Sequence, residues 1–243
     1  MIFEVCVDSI ESALAAQAGG AQRVELCDNL VEGGTTPSLG MIQVAREHLS
    51  IGLNVIIRPR GGDFFYSDLE FAVMRQDILA AKAAGVDGLV LGLLTLDGSI
   101  DVPRTSELVD LARPLPVTFH RAFDVCRSAE EALEVLCGLG IARVLTSGQQ
   151  ASASEGADCI ARLVQQAGER ITILAGGGIT EANVTELVRR TGVREVHFSA
   201  HQWVESPMQF QTPRVSMGKA YQPDEYRRKA TDAELVRRVI QAV

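Results

Sequence analysis

At 243 residues, 47% hydrophobic and 22% charged, the chain has the balance of a folded globular protein with a sizeable core, which excludes disorder. A net charge of −8 and a pI near 5.1 argue against a nucleic-acid partner, which would draw on clustered Lys and Arg. No apolar run approaches the roughly 18 residues that cross a bilayer, so no membrane partner is expected.

The amino terminus, Met1-Ile2-Phe3-Glu4, has neither a basic region nor a signal core and begins a strand at once. Cys6, Cys27, Cys126, Cys137 and Cys159 are odd in number and widely spaced with no CxxC pair, which speaks against a disulfide framework. Together these features predict a cytoplasmic protein. From there, β-branched runs alternate with amphipathic segments about every 30 residues, the pattern of βα units and a parallel sheet. Eight strands are expected, near 2–7, 23–27, 53–58, 86–91, 115–120, 142–146, 170–175 and 194–198. Capping-box spacings mark helix starts at Asp8/Glu11, Ser67/Glu70, Ser128/Glu131 and Thr231/Glu234. Pro37 and Pro103 suit first helical turns, and glycines such as Gly85, Gly140 and Gly192 suit helix ends.

Eight such units with right-handed crossovers close into a (β/α)₈ TIM barrel, here as one domain over 1–243. An open doubly wound sheet is the rival, but no GxGxxG follows the first strand. Residues 200–230, with Pro207, Pro213 and Pro223, break the pattern and read as an extended excursion, with Trp203 covering a barrel end or a subunit contact. A terminal helix is expected over 231–242.

In a barrel the chemistry sits at the carboxyl ends of the strands, where residues two apart share a face. Glu4/Cys6, Glu25/Cys27, Arg58/Arg60, Thr118/His120 and His197/Ser199 are such pairs, so five strands direct polar groups to one mouth. The charged members read either as a buried ion-pair network or as a ligand site. Arg58 and Arg60 flank a flexible glycine pair and read as an anion clamp, or else as partners of Glu25 and Asp63. Arg121 follows His120, and Gly177, Gly178 and Ser199 fall in the loops after strands seven and eight, where many barrels hold a phosphate. The same glycines also suit a tight turn. Glu25 and His120 are the candidate acid–base groups for a barrel enzyme acting on a small anionic metabolite, phosphorylated or carboxylated. Cys6 and Cys27 would lie side by side on adjacent strands, as core residues or as soft ligands suited to Cu(I). Cys137 and Cys159 read as helix core, and Cys126 as an exposed loop residue.

The motifs Glu4-Val5-Cys6, Arg23-Val24-Glu25-Leu26-Cys27, Glu32-Gly33-Gly34-Thr35-Thr36-Pro37-Ser38, Ile57-Arg58-Pro59-Arg60-Gly61-Gly62-Asp63-Phe64, Pro116 to Asp124 and Arg143 to Gly148 resemble, in that order, the CutC family of copper homeostasis proteins. The resemblance implies a cytoplasmic TIM barrel that assembles as a small homo-oligomer. It also implies copper handling through Cu(I) bound at Cys6 and Cys27. Where some bacterial relatives carry a second cysteine beside the first, this chain has Val7, leaving two thiols.

Overall fold

The computed structural model describes residues 1–212, 214–215 and 224–243. Eight parallel strands follow one another around a closed barrel: β1 (Ile2–Val7), β2 (Arg23–Leu26), β3 (Gly52–Ile56), β4 (Gly88–Leu91), β5 (Val117–Phe119), β6 (Arg143–Thr146), β7 (Thr172–Gly176) and β8 (Glu195–Phe198). β8 returns to pair with β1, placing Glu4 beside His197, while β1 and β2 place Glu4 beside Arg23 and Cys6 beside Glu25. The expected TIM barrel is therefore the observed fold. The helices between strands are α1 (Ile10–Ala18), α2 (Leu39–His48), α3 (Asp68–Ala83), α4 (Val102–Ala112), α5 (Ala129–Gly138), α6 (Ala157–Ala167) and α7 (Val184–Thr191).

Alternation along each strand sorts the side chains into two environments. Val5, Val7, Val24, Leu26, Leu53 and Val55 face outward and join the helices in one large apolar core. The opposite face turns into the barrel and carries Glu4, Arg23, Glu25 and Asn54, all buried, below a small apolar cluster of Cys27, Ile56 and Val90.

The helix starts follow the expected logic with two shifts. Ser67 and Glu70 form a reciprocal capping box on α3, and Ser128 caps α5. The first helix is capped by Ser9 rather than Asp8, and the last, α8 (Ala233–Gln241), by Asp232 rather than Thr231, each a short side chain that accepts from the N3 amide. Pro37 lies just outside α2, whose cap is Ser38.

Two stretches of the segment after β8 form regular structure. β9 (His201–Glu205) and β10 (Arg227–Thr231) form an antiparallel ribbon, from His201 opposite Thr231 to Glu205 opposite Arg227. Trp203 on this ribbon is stacked by Arg227 and Lys229, with the cations 4.4 and 5.4 Å from its ring. The ribbon is tied to the barrel wall where the Thr231 amide donates to Ser12 Oγ on α1 (3.1 Å). Pro213 and Pro223 lie outside the described residues.

Candidate functional site

The inner faces of β1, β2 and β8 build a continuous polar chain that rises from mid-barrel to the mouth. At its base the Glu4 carboxylate accepts from the Arg23 guanidinium, from Asn54 Nδ2 (3.1 Å) and from His197 Nδ1 (2.7 Å). All three partners are donors, so only an acceptor fits at this point. Burial works against the carboxylate's charge, but the His197 hydrogen bond and Arg23 overcome it and hold the Glu4 pKa down at about 2. Arg23 also reaches Glu195 (2.6 Å).

His197 carries the chain upward. With Nδ1 on Glu4, its Nε2 lies 3.7 Å from Glu25 Oε2. Burial opposes protonation, yet Cys6 and the Glu4 hydrogen bond, with the charges of Glu25 and Glu4, raise its pKa well above the ordinary value. Cys6 Sγ and Cys27 Sγ stand 3.7 Å apart, and Cys27 Sγ lies 3.5 Å from Glu25 Oε2. The Cys27 bond, helped by His197, lowers the Cys6 thiol to about 5, whereas Cys27 is raised well above 9.0 by that same bond and by burial. Burial, and then the neighbouring Cys6 charge, raise Glu25 well above the usual carboxylate range. The cluster thus drives its groups apart, with Cys6 pushed down and Cys27, Glu25 and His197 pushed up.

Cys6, Glu25 and Cys27 place one donor atom each within 4.8 Å of the others, the one such grouping of metal-ligating side chains among the described residues. The sulfur separation is less than twice a metal–thiolate bond of about 2.3 Å, so a single ion can touch both. The loop between β2 and α2 closes over this pair at Gly34, whose φ of +91° suits glycine and whose added Cβ would sit 3.2 Å from Cys27 Sγ.

Above the cluster opens a cavity of about 780 Å³. Cys6, Glu25, Arg58, His120, Arg121, Gly177, Gly178 and Ser199 all line it, as the sequence predicts for the mouth. Arg60 does not. Its guanidinium turns outward onto Glu70 (2.6 Å), Asp63 (3.0 Å) and the Phe65 carbonyl, because β3 ends at Ile56 and the two-residue alternation stops there. Arg58 pairs with neither Glu25 nor Asp63. It donates to the carbonyls of Glu32, Gly34 and Gly62 at 2.6–3.0 Å. Arg121 is held by Asp124 (2.6 Å) and Ser147 Oγ (2.8 Å).

His120 departs from the titrating role expected of it. Its Nδ1 accepts from the Ala122 amide (3.1 Å), and burial together with the charge of Arg58 pushes its pKa down to about 3, so it stays neutral and can only donate from Nε2. Cys126, expected to be exposed, is buried, and its thiol reaches the Ser128 carbonyl. Three groups went unassigned as site residues in the sequence: Glu4, His197 and the basic run Arg227-Arg228-Lys229, which forms part of the cavity wall. The alternation of His197 with Ser199 was a signal for the second. The third lies where no βα pattern holds.

The model of the CutC family matches residues 1–202. The chain belongs to the CutC family. A CutC family protein from Chromobacterium violaceum is 52% identical over 242 residues, spanning 100% of this chain and 98% of the relative. The copper homeostasis protein cutC homolog of Homo sapiens is 51% identical over 236 residues, 97% of this chain and 86% of the relative. Among solved structures, CutC from Streptococcus agalactiae superposes with a TM-score of 0.79 at 38% identity, covering 82% of this chain and 98% of that one. The phosphoribosylanthranilate isomerase of Pyrococcus furiosus, at 14% identity and a TM-score of 0.58 over 100% and 98% of the two chains, shares the fold.

Proposed function

We propose that this CutC family member handles copper, binding one Cu(I) ion between Cys6 and Cys27. The names of the human and mouse relatives support the reading. The observation that carries it is the 3.7 Å approach of two thiol sulfurs at the floor of an accessible cavity, with Glu25 beside them. Soft thiolate donors favour Cu(I), which accepts low coordination.

In this reading Cys6 is the entry ligand, because it is already a thiolate at neutral pH and lines the cavity. Cys27 loses its proton as the ion arrives. Cu⁺ with two thiolates carries one net negative charge, which the His197 imidazolium beside them balances, and Glu4 holds that imidazolium in place. Glu25 supplies a third donor once deprotonated. The protein works in the cytoplasm, where reducing conditions keep both thiols free, and as a small homo-oligomer. Among the described residues no helix is long and apolar enough to cross a membrane.

An anaerobic Cu(I) competition titration tests this, run on the reduced protein beside the Cys6→Ser/Cys27→Ser double variant. One equivalent bound by the parent and lost in the variant is expected, with circular dichroism unchanged. Full affinity retained by the double variant would overturn the assignment.

A further inference from the structure

We propose that the cavity above the sulfur pair holds a small organic anion, a phosphate or carboxylate, whose charged group is received by Arg58 and by the Nε2–H of His120. Arg58 stands just past the end of β3 and lines this cavity. Its side chain is 4% exposed, and every bond made by its Nη atoms goes to a backbone carbonyl. Among the described residues no carboxylate lies within ion-pairing distance of it; its Nε makes no hydrogen bond, and the buried Tyr66 hydroxyl beside the guanidinium is neutral. A buried cation without a counter-ion is costly, so the fold has left half of an ion pair open.

His120 supplies a second buried, unpaired donor. It is also 4% exposed, and with Nδ1 occupied its Nε2 meets no acceptor. The two side chains approach one ring from the ends of β3 and β5. The Arg58 guanidinium lies 5.1 Å and the His120 ring 5.0 Å from the centre of Phe64. Both line the same cavity.

The surroundings select an anion. In a chain of net charge −8, the cavity wall carries five Arg and Lys side chains against three carboxyls, Asp8, Glu25 and Glu32. Three of the five, Arg58, Arg228 and Lys229, form no ion pair among the described residues. Ile56, Leu145, Ile179 and Phe198 add an apolar wall, so the ligand has an organic body as well as a charge. The volume of about 780 Å³ lies within the range of small-molecule sites. Neither donor belongs to the sulfur cluster, and the proposal stands whether or not copper binds there.

Trp203 is the single tryptophan of the chain and lines the cavity, so its emission reports on occupancy. The test titrates reduced, copper-free, full-length protein with phenyl phosphate, benzoate and neutral benzyl alcohol, following Trp203 fluorescence and the thermal midpoint. Expected is a saturable response to at least one anion, with stabilisation that falls as salt rises and no response to benzyl alcohol. The stronger of the two anions identifies phosphate or carboxylate as the preferred group. His120→Asn keeps an acceptor for the Ala122 amide but lacks Nε2, and weakens the preferred anion about tenfold or more. Arg58→Lys weakens it further. Arg228→Glu on the exposed ribbon leaves the fold intact and lowers affinity with a shallower salt dependence. If Arg58→Lys fails to fold, His120→Asn decides. No saturable response to either anion at millimolar concentration, an equal response to benzyl alcohol, or unchanged affinity in the folded variants would overturn the proposal.

Discussion

Replacing Glu4 by Gln is the sharpest probe of the polar chain inside the barrel. Glu4 is 1% exposed, and its two oxygens accept from three donors, on Arg23, Asn54 and His197. The amide of Gln must turn its NH₂ toward at least one of them, setting donor against donor, and it removes a carboxylate partner from His197 while leaving Arg23 with Glu195 alone. Removing one partner of a buried pair costs about 3–5 kcal/mol, a large part of the roughly 5–15 kcal/mol that stabilises a domain. Chemical denaturation of the Glu4→Gln variant should show that loss at an unchanged denaturant slope, with a thermal midpoint lower by roughly 6–20 °C for a chain of this size. A second readout follows the chain upward. His197 loses the acceptor that raises its pKa, so the Cys6 thiolate is favoured less, and ultraviolet titration should find its pKa moved up from about 5. A stability loss below about 1 kcal/mol, the scale of an exposed ion pair, would refute the buried-network argument.

Two further outcomes are expected. The folded-state pKa of His120, about 3, lies below its ordinary 6.5, so as pH falls through 6.5 the unfolded chain takes up a proton that the native state refuses. Stability present above pH 6.5 is then lost toward pH 3 at up to about 1.4 kcal/mol per pH unit, and this part of the slope should vanish in His120→Asn when denaturation is followed against pH. Gly34→Ala places a Cβ 3.2 Å from Cys27 Sγ on a backbone at φ +91°, and should lower stability by about 1–2 kcal/mol in thermal unfolding and weaken Cu(I) binding in competition titrations. An unchanged midpoint would show that the loop adapts freely.

How much of this was legible in the chain depends on how far each contact reaches. The eight strands announce themselves through β-branched runs, and their ends fall within a few residues of the expected positions, because burial on both faces demands such runs locally. Cys6 and Cys27 could be placed together from sequence, since consecutive strands of a barrel are neighbours and a two-residue period puts both at the mouth. The outward turn of Arg60 was not legible, because the period holds only inside a strand and β3 stops two residues before Arg58. Nor was the neutral, donor-only state of His120, which depends on burial and on the charge of Arg58 from another strand.

Composition, period and turn residues thus determined the class of fold, the number of barrel strands and which residues sit at their carboxyl ends, because those signals are local and repeat along the chain. Only the tertiary structure decided that His197 joins Glu4, a contact between residues 193 positions apart that exists because β8 closes onto β1. It alone decided that Arg58 is buried without a counter-ion and that the β9–β10 ribbon brings Arg227, Arg228 and Lys229 to the cavity. Protonation states and charge balance are set by distance and burial in three dimensions, and neither is a property of any short stretch of sequence.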